Sequence, residues 1–252
     1  MLKFDKILTE DQSKLYSSKV SDCKDLFNTY ADNKFSILGA ASYANNLEEY
    51  NLIKNKINPV IKNNFLDLLN IIKDYIEQGV NEPCYFDENL SYPGFHTFYA
   101  DHKDSLLPLT SLHIDTPYQL HKDYLLKKYN HVNFDFPLTF TLCLKLPKSG
   151  AGLYYWDKDN WDTQTEEQSY EFYSDIYEKY ALLFKTNTPT REDYEKFIEP
   201  KILSYEIGNI VLFKGNLLHQ IAPFYSPVYS DELRTTMQGH GIKCDGKWLL
   251  YF

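Results

Sequence analysis

The sequence predicts an α+β protein whose helical first third precedes an antiparallel β-sandwich or barrel. Apolar residues between positions 47 and 79 recur near the helical period of 3.6,. After about residue 80, short apolar or alternating runs are separated by Gly, Pro, Asn and Asp, which indicates many short strands,. The chain has 252 residues, of which 43% are hydrophobic, so it can build one sizeable core,. We therefore expect a single domain over residues 1–252.

Helices are predicted to support the fold over about residues 1–85. Residues 11–30 mix polar and apolar positions at helical spacing,. The second helix, over residues 47–79, carries a broad apolar stripe around Leu68, Ile72 and Ile76,. Pro59 is expected to start a new helix or to kink this one, and Gly79 to end it.

Strands are predicted to form the core over residues 86–252. The candidate strands are residues 94–99, 111–115, 138–146, 152–156, 202–206, 210–213, 218–221, 234–242 and 247–250,. Residues 159–200 interrupt them with an acidic, Tyr-rich stretch that has helical character at 167–184 and 191–198. We interpret this stretch as a helical insertion, because a structureless loop of that length is uncommon.

Composition argues against several classes of protein. The formal net charge of -9 does not suit phosphate binding, so nucleic acid is not expected as a partner,. No run of about 18 apolar residues occurs, so no membrane span is expected. Acidic residues near the start argue against a signal peptide, which favours a cytoplasmic protein. Four scattered cysteines without a CxxC pair are expected to be reduced and structural (Cys23, Cys84, Cys143 and Cys244),.

Two histidine-containing motifs on predicted strands are candidates for metal binding. His113 and Asp115 are two residues apart, so on a strand both side chains leave the same face and can hold adjacent positions of a metal ion. His219 lies far downstream in an apolar strand that follows a strand and a turn. Taken alone, the first motif also fits a surface His–Asp pair, and His219 also fits a satisfied core histidine.

A third motif places polar side chains on one face of the strand at 234–242. Arg234, Thr236, Gln238 and His240 share this face by alternation,. It fits either a solvated outer face or a polar pocket in which Arg234 binds an anion and Thr236 adds a hydrogen bond. The chain has 26 Lys and Arg residues, of which only Arg191 and Arg234 are arginine, so Arg234 is a candidate for a role that lysine cannot fill,.

Together, His113-x-Asp115, His219 and Arg234-x-Thr236 resemble the iron(II)- and 2-oxoglutarate-dependent oxygenase superfamily over about residues 92–245. The resemblance implies a double-stranded β-helix, a cupin-like jelly roll, with flanking N-terminal helices. It implies Fe(II) on His113, Asp115 and His219, with 2-oxoglutarate and O2 as co-substrates. Arg234 would bind the distal carboxylate of 2-oxoglutarate, assisted by Thr236.

The activity that the resemblance implies is hydroxylation or desaturation of an unactivated C–H bond of a small molecule, such as an amino acid or a natural-product intermediate. The insertion at 159–200 lengthens the spacing between the motifs and is a candidate lid or substrate wall. Substrate contacts are expected from residues near the pocket (His96, Tyr118, Gln119, Gln238 and His240). Three alternatives stay open: a protein side-chain hydroxylase, a cupin-type metalloenzyme without 2-oxoglutarate, and a non-catalytic jelly-roll binding protein.

Overall fold

The computed structural model describes residues 2–30, 35–99, 108–148, 150–157, 165–186, 189–224 and 233–252. The α-helices in this part of the chain are Glu10–Asp22 (α1), Leu47–Val80 (α2), Lys122–Lys128 (α3), Glu166–Thr186 (α4) and Arg191–Ile198 (α5). Its strands are Leu2–Lys6 (β1), Asn28–Tyr30 (β2), Phe35–Leu38 (β3), Cys84–Phe86 (β4), Gly94–Tyr99 (β5), Val132–Lys145 (β6), Leu153–Trp156 (β7), Lys201–Leu203 (β8), Asn209–Lys214 (β9), Leu218–Ile221 (β10), Leu233–Cys244 (β11) and Lys247–Tyr251 (β12). Two short 3-10 helices cover Lys24–Leu26 and Pro117–His121.

Two sheets form the core. The large sheet has the order β1-β9-β6-β11-β5-β3-β2, and β12 pairs with both β11 and β4. The small sheet has the order β10-β7-β8. The pairs along both sheet orders are antiparallel, whereas β12 and β4 are parallel. Side chains from both sheets line one cavity between them, as expected for a jelly roll.

The large sheet separates an apolar outer face from a polar inner face. On β11, Met237 joins the hydrophobic cluster that covers the outer face, while the neighbouring Gln238 lines the cavity. Helix α2 covers the outer face with a row of fully buried side chains (Ile57, Ile61, Phe65, Leu68, Leu69, Ile72 and Ile76). Burial of each such side chain contributes about 1.5–3 kcal/mol. The polar inner face is therefore held in place by the apolar packing behind it.

Helix α2 runs from Leu47 to Val80, with a capping box at its start and a kink at Phe65. Asn46 accepts from the Glu49 amide, and Glu49 bonds back to the Asn46 amide,. The helix runs through Pro59, and its one departure from helical geometry is at Phe65, with φ -133° and ψ 15°. The prediction of a break or kink at Pro59 was therefore misplaced. The helix ends one residue after Gly79, with Asn81 in the left-handed conformation.

The N-terminal third is less helical than predicted. Helix α1 ends at Asp22, and β1, β2, β3 and β4 contribute strands to the large sheet. These strands have three to five residues, which is too short to show a period of their own,. Their conformation follows from their partners, since β1 pairs along its whole length with β9. Pairing between distant segments of the chain is not visible in a local pattern.

Most predicted strands are confirmed. Strands β5 and β10 have the predicted bounds, and the others differ at their ends, most of all β6, which begins at Val132. The prediction of a regular strand over 111–115 was wrong, because this segment carries only an isolated bridge between His113 and His219. Helix α3 was not predicted at all.

The helices of the predicted insertion pack on the outer face of the small sheet. Tyr173 and Tyr194 join a cluster with Tyr154, Trp156 and Leu218 of β7 and β10. The Tyr173 hydroxyl donates to the Trp156 carbonyl oxygen at 2.7 Å. Helix α5 has the predicted bounds, and Thr190 caps it as expected.

Other predictions concern chemistry and the membrane. All four cysteines are buried and outside any disulfide, which agrees with a structural role. In the ranges described above, no helix is both long and apolar enough to cross a membrane.

A buried carboxylate joins α3 to the chain that follows α2. Asp87 Oδ2 accepts from Lys128 Nζ at 2.5 Å and from the Tyr124 hydroxyl at 2.5 Å, and the Asn89 amide donates to its Oδ1. Burial alone would raise the pKa of Asp87, but these hydrogen bonds outweigh it and lower the pKa to about 2,. The ionised form therefore stabilises the fold.

We predict that Asp87→Asn lowers the free energy of unfolding by about 1.5–3 kcal/mol at neutral pH, the range for a hydrogen bond to a charged group. The pKa is lower in the folded state, so the contribution is complete above the pKa of an unfolded carboxyl and disappears as the pH falls towards 2,. Denaturant unfolding of both proteins between pH 7 and low pH measures this difference. A gap that does not shrink on acidification would contradict the assignment.

Candidate metal centre

His113, Asp115 and His219 converge into one group that could hold a metal ion. One ligand atom from each residue lies within 4.8 Å of the others. Nε2 of His113 is 3.8 Å from Asp115 Oδ1, and Nε2 of His219 is 3.5 Å from Asp115 Oδ2. Two imidazoles and one carboxylate on one side of an ion are the ligand set of non-haem iron(II) oxygenases, and they leave coordination positions open.

Backbone pairing places the three side chains. His113 and His219 exchange both backbone hydrogen bonds, at 3.2 Å and 3.0 Å. The Asp115 amide donates to the Gly215 carbonyl oxygen, so the segment is fixed again two residues later. A Cβ atom at Gly215 would lie only 2.9 Å from the Asp115 carbonyl oxygen. The turn before His219 can therefore approach the first motif only because residue 215 is glycine.

Each histidine is oriented by a carbonyl two residues before it. His113 Nδ1 donates to the Ser111 oxygen at 2.7 Å, and His219 Nδ1 donates to the Leu217 oxygen at 2.8 Å. A carbonyl can only accept, so in the neutral ring the proton lies on Nδ1 and Nε2 keeps its lone pair. Both Nε2 atoms thus point their lone pairs to the side where Asp115 lies, as metal ligands must.

A second layer of hydrogen bonds orients the carboxylate. The Thr139 hydroxyl donates to Asp115 Oδ2 at 2.7 Å. Thr139 Oγ1 also lies 3.2 Å from His240 Nδ1. Because the hydroxyl proton is used on Asp115, His240 Nδ1 donates to the threonine oxygen. The chain from His240 through Thr139 to Asp115 thus fixes which carboxylate oxygen remains for an ion.

Charge at the centre is set by burial. Burial lowers the pKa of His219 to about 4, against the opposing influence of Asp115, so this imidazole is neutral at pH 7,. Burial also lowers the pKa of His240. For Asp115, burial alone would raise the pKa, but the neighbouring histidines His219, His240 and His113 outweigh it and lower the pKa. The centre therefore offers one negative charge at Asp115 and a neutral nitrogen ligand at His219.

Arg234 is a buried cation in the same inner face, with 0% exposure. Its Nε donates to the Ala151 oxygen at 3.1 Å, and its NH1 donates to Thr236 Oγ1 at 3.3 Å. Its guanidinium lies 5.6 Å from the ring centroid of Phe98 and 5.1 Å from that of Tyr205. Among the described residues, no carboxylate forms an ion pair with it. A buried charge without a counterion is unfavourable, so the site is suited to an anionic ligand.

A cavity of about 670 Å³ connects these groups. It is lined by the three candidate ligands and by Arg234, and by aromatic, aliphatic and neutral polar side chains from β5, β6, β7, β9, β10 and β11. Described residues of the predicted insertion (165–186 and 189–200) do not line it. The prediction of a lid or substrate wall therefore finds no support in the helices α4 and α5, and residues 158–164 lie outside the described chain.

Most of the residues that the sequence predicts for the site line the cavity. His96, Gln119, Gln238 and His240 line it, together with Arg234. The face of β11 that carries Arg234 is thus a polar pocket and not a solvated surface. Two other predicted residues, Tyr118 and Thr236, are not part of its lining. Tyr118 is 3% exposed and packs with Leu125, Ile242 and Tyr251, away from the lining residues. Thr236 is also absent from the lining and instead holds the Arg234 guanidinium.

Sequence reasoning missed Thr139, Ser42 and Tyr43, which also line the cavity. Thr139 had a usable signal, because it alternates with apolar residues in a predicted strand and so shares a face with Thr141. Ser42 and Tyr43 lie between β3 and α2 in a segment without periodicity, so no local pattern marks them.

Comparison with known proteins identifies the fold. No protein-family model matches the chain, and no curated protein matches it in sequence. Among solved structures, an N-substituted L-amino acid dioxygenase from Burkholderia ambifaria AMMD is similar, with a TM-score of 0.54 and 12% identity over 100% of this chain and 86% of that chain. The same dioxygenase in complex with alpha-KG gives a TM-score of 0.52 and 11% identity, with the same coverage. The chain has the fold of this dioxygenase. The predicted jelly-roll fold is thereby confirmed.

We predict that Thr139→Val weakens metal binding about 10–100-fold, the usual effect of removing a group that orients a ligand. Valine keeps the shape but leaves Asp115 Oδ2 without its donor. Titration with zinc(II), a probe that needs no reductant, against a competing chelator measures the affinity. Thr139→Ser is the matched control, because it keeps the hydroxyl, and it should bind like the parent. Equal affinities of the valine variant and the parent would show that Thr139 does not orient the ligand.

Proposed function

We propose that this protein is an iron(II)- and 2-oxoglutarate-dependent oxygenase that hydroxylates or desaturates an unactivated C–H bond of a small molecule. The observation that carries the proposal is the joint presence, around one cavity, of the His113–Asp115–His219 group and a buried arginine without a carboxylate partner among the described residues. The similarity to a dioxygenase whose structure holds alpha-KG supports it.

The ligand atoms fit ferrous iron. Two Nε2 lone pairs and one carboxylate are available on one side, and hydrogen bonds to Ser111, Leu217 and Thr139 hold all three groups in place,. Bound iron(II) with 2-oxoglutarate would supply the activation of O2 and the oxidising equivalents for C–H cleavage. The protein holds the ligand set, keeps open positions beside it and encloses the substrate.

Arg234 fits the distal carboxylate of 2-oxoglutarate. Hydrogen bonds to Ala151 and Thr236 fix its guanidinium, and the rings of Phe98 and Tyr205 lie close to it. The group is therefore preorganised for a planar, bidentate partner. An incoming carboxylate would supply the missing counterion. Thr236 contributes to this site by positioning Arg234. The size of the cavity fits a co-substrate and a small substrate side by side, since ligand pockets are commonly about 300–1,000 Å³,.

The first test is an anaerobic titration of the purified protein with iron(II) and 2-oxoglutarate, followed by the visible metal-to-ligand charge-transfer band. We expect the band in the parent and its loss in His113→Ala. His131→Ala changes an exposed histidine outside the cavity and should keep the band. A folded parent protein without a band would contradict the proposal and favour a different metalloenzyme or a non-catalytic jelly-roll binding protein.

A second test concerns the co-substrate anchor. We predict that Arg234→Gln weakens 2-oxoglutarate binding by about 3–5 kcal/mol, the range for breaking a buried ion pair, while iron(II) still binds. Arg234→Lys should recover part of the affinity, because it restores the charge without the planar fork. The dissociation constant from the charge-transfer titration is the measurement. An unchanged constant in Arg234→Gln would show that another residue anchors the acid.

A further inference from the structure

The segment between β3 and α2 carries a polar group that points to a ligand. Ser42 lines the cavity, is 7% exposed, and its hydroxyl has no hydrogen-bond partner among the described residues. The segment is anchored on both sides of it, because the Ala40 amide donates to Ser91 Oγ and Asn45 Nδ2 donates to the Ala41 oxygen. A buried hydroxyl without a partner is unfavourable, so this position is suited to a ligand that hydrogen-bonds to it.

The next residue offers an open aromatic surface. Tyr43 lines the cavity, yet it is 55% exposed. Its hydroxyl forms a hydrogen bond with Nε2 of His96, which is only 4% exposed, so the polar tip is satisfied and the ring supplies the exposed area. The rings of Tyr43 and His96 meet at an edge, with centroids 5.9 Å apart. The exposed part of the tyrosine ring is therefore available for contact with a planar ligand,.

The wall around this ring is aromatic and neutral. Phe35 and Phe98 stack on each other with centroids 5.2 Å apart, and both line the cavity. Burial and the nearby Arg234 lower the pKa of His96 to about 3, although a hydrogen bond with Gln238 opposes this, so the imidazole is uncharged at pH 7. Gln238 adds an uncharged amide to the same wall. These side chains offer stacking and neutral hydrogen bonds.

The charged side chains in the described part of the cavity lining are already in use under the proposed function. Among its described lining residues, Asp115 is the one carboxylate, and Arg234 is the one lysine or arginine. Asp115 would bind iron, and Arg234 would bind 2-oxoglutarate. A zwitterionic amino acid would bring one ammonium and one carboxylate into this enclosed space, and each would need a partner there.

We propose that Ser42, Tyr43 and His96 form the substrate subsite, and that it takes an uncharged molecule with a planar ring and a neutral hydroxyl or carbonyl group. The ring stacks on Tyr43, and the polar group bonds to the Ser42 hydroxyl. This inference rests on the proposed function, because it assigns both charged side chains to iron and co-substrate. It selects among the predicted substrates by favouring a neutral natural-product intermediate over a free amino acid.

The test compares probes that share a ring and differ in charge. The protein is loaded with zinc(II) and 2-oxoglutarate, and saturation-transfer NMR measures the binding of p-cresol against L-tyrosine, and of indole against L-tryptophan. We expect each neutral probe to bind at least about tenfold more tightly than its amino acid, because an unpaired buried charge is costly. Equal or tighter binding of the amino acids, or no binding of either neutral probe, would overturn the inference.

Variants locate the binding of p-cresol. Tyr43→Leu should weaken it about tenfold by removing the stacking face, and Ser42→Ala should weaken it about two- to tenfold, the range for one neutral hydrogen bond. Tyr43→Phe should retain most of the binding, since the ring remains. Tyr170→Leu is the matched control, because Tyr170 is 46% exposed on α4 outside the cavity. Affinity that is unchanged in both Tyr43→Leu and Ser42→Ala would place the probe elsewhere and overturn the inference.

Failure of this inference is distinguishable from failure of the proposed function. A charge-transfer band with iron(II) and 2-oxoglutarate in the parent, combined with preferred binding of amino acids, rejects the subsite alone. Absence of the band rejects the oxygenase. Asp115 and Arg234 are then free to pair with an amino acid, so the charge comparison no longer applies. Binding of p-cresol to the metal-free protein, and its loss in Tyr43→Leu, tests the subsite by itself.

Discussion

The pair of backbone hydrogen bonds between His113 and His219 is the constraint on which the site depends. The segment around His113 has no regular strand to hold it, so this bridge and the Asp115–Gly215 bond fix its place against β10. Because the bridged residues are themselves the two histidines, these backbone hydrogen bonds also set the distance between two candidate metal ligands. A small backbone shift here would move the ligand atoms directly, which is why Gly215 must leave room for the approach.

Apolar packing on the outer face of the large sheet stabilises the strands whose inner face carries the polar side chains. On β11, Met237 is buried in the cluster with α2, and its neighbours Thr236 and Gln238 belong to the inner side. Burying Arg234 without a counterion among the described residues opposes folding by several kcal/mol,. The long buried row of α2, at about 1.5–3 kcal/mol for each side chain, is large enough to offset such a penalty,. A ligand site of this kind thus requires a large core behind it.

The sequence was informative wherever chemistry or periodicity was local. Alternation along β11 correctly placed Arg234, Gln238 and His240 on one face, and the helical period predicted α2 almost to its ends. Prediction from the sequence failed where contacts between distant segments of the chain decide the conformation. The short strand β1 is defined by β9, and the segment at His113 is held by a bridge across the fold. The same limit hid Ser42 and Tyr43, since only the folded chain brings their segment to the cavity.

Arg234 and Ser42 are both buried polar groups for which the lack of a partner is unfavourable, and the cost is larger for the charged arginine than for the serine,. Each is a buried polar group whose bonding capacity the described chain leaves incomplete, and each lines the same cavity. A buried, unpaired charge gains more from an incoming partner than an unpaired hydroxyl does, so the arginine is suited to an anion and the serine to a polar group. Since Arg234 is the one lysine or arginine in the described lining, its occupation by 2-oxoglutarate under the proposed function would leave neutral recognition for the substrate. Under the proposed function, the unpaired charge of Arg234 and the unpaired hydroxyl of Ser42 would therefore hold two different ligands within one cavity.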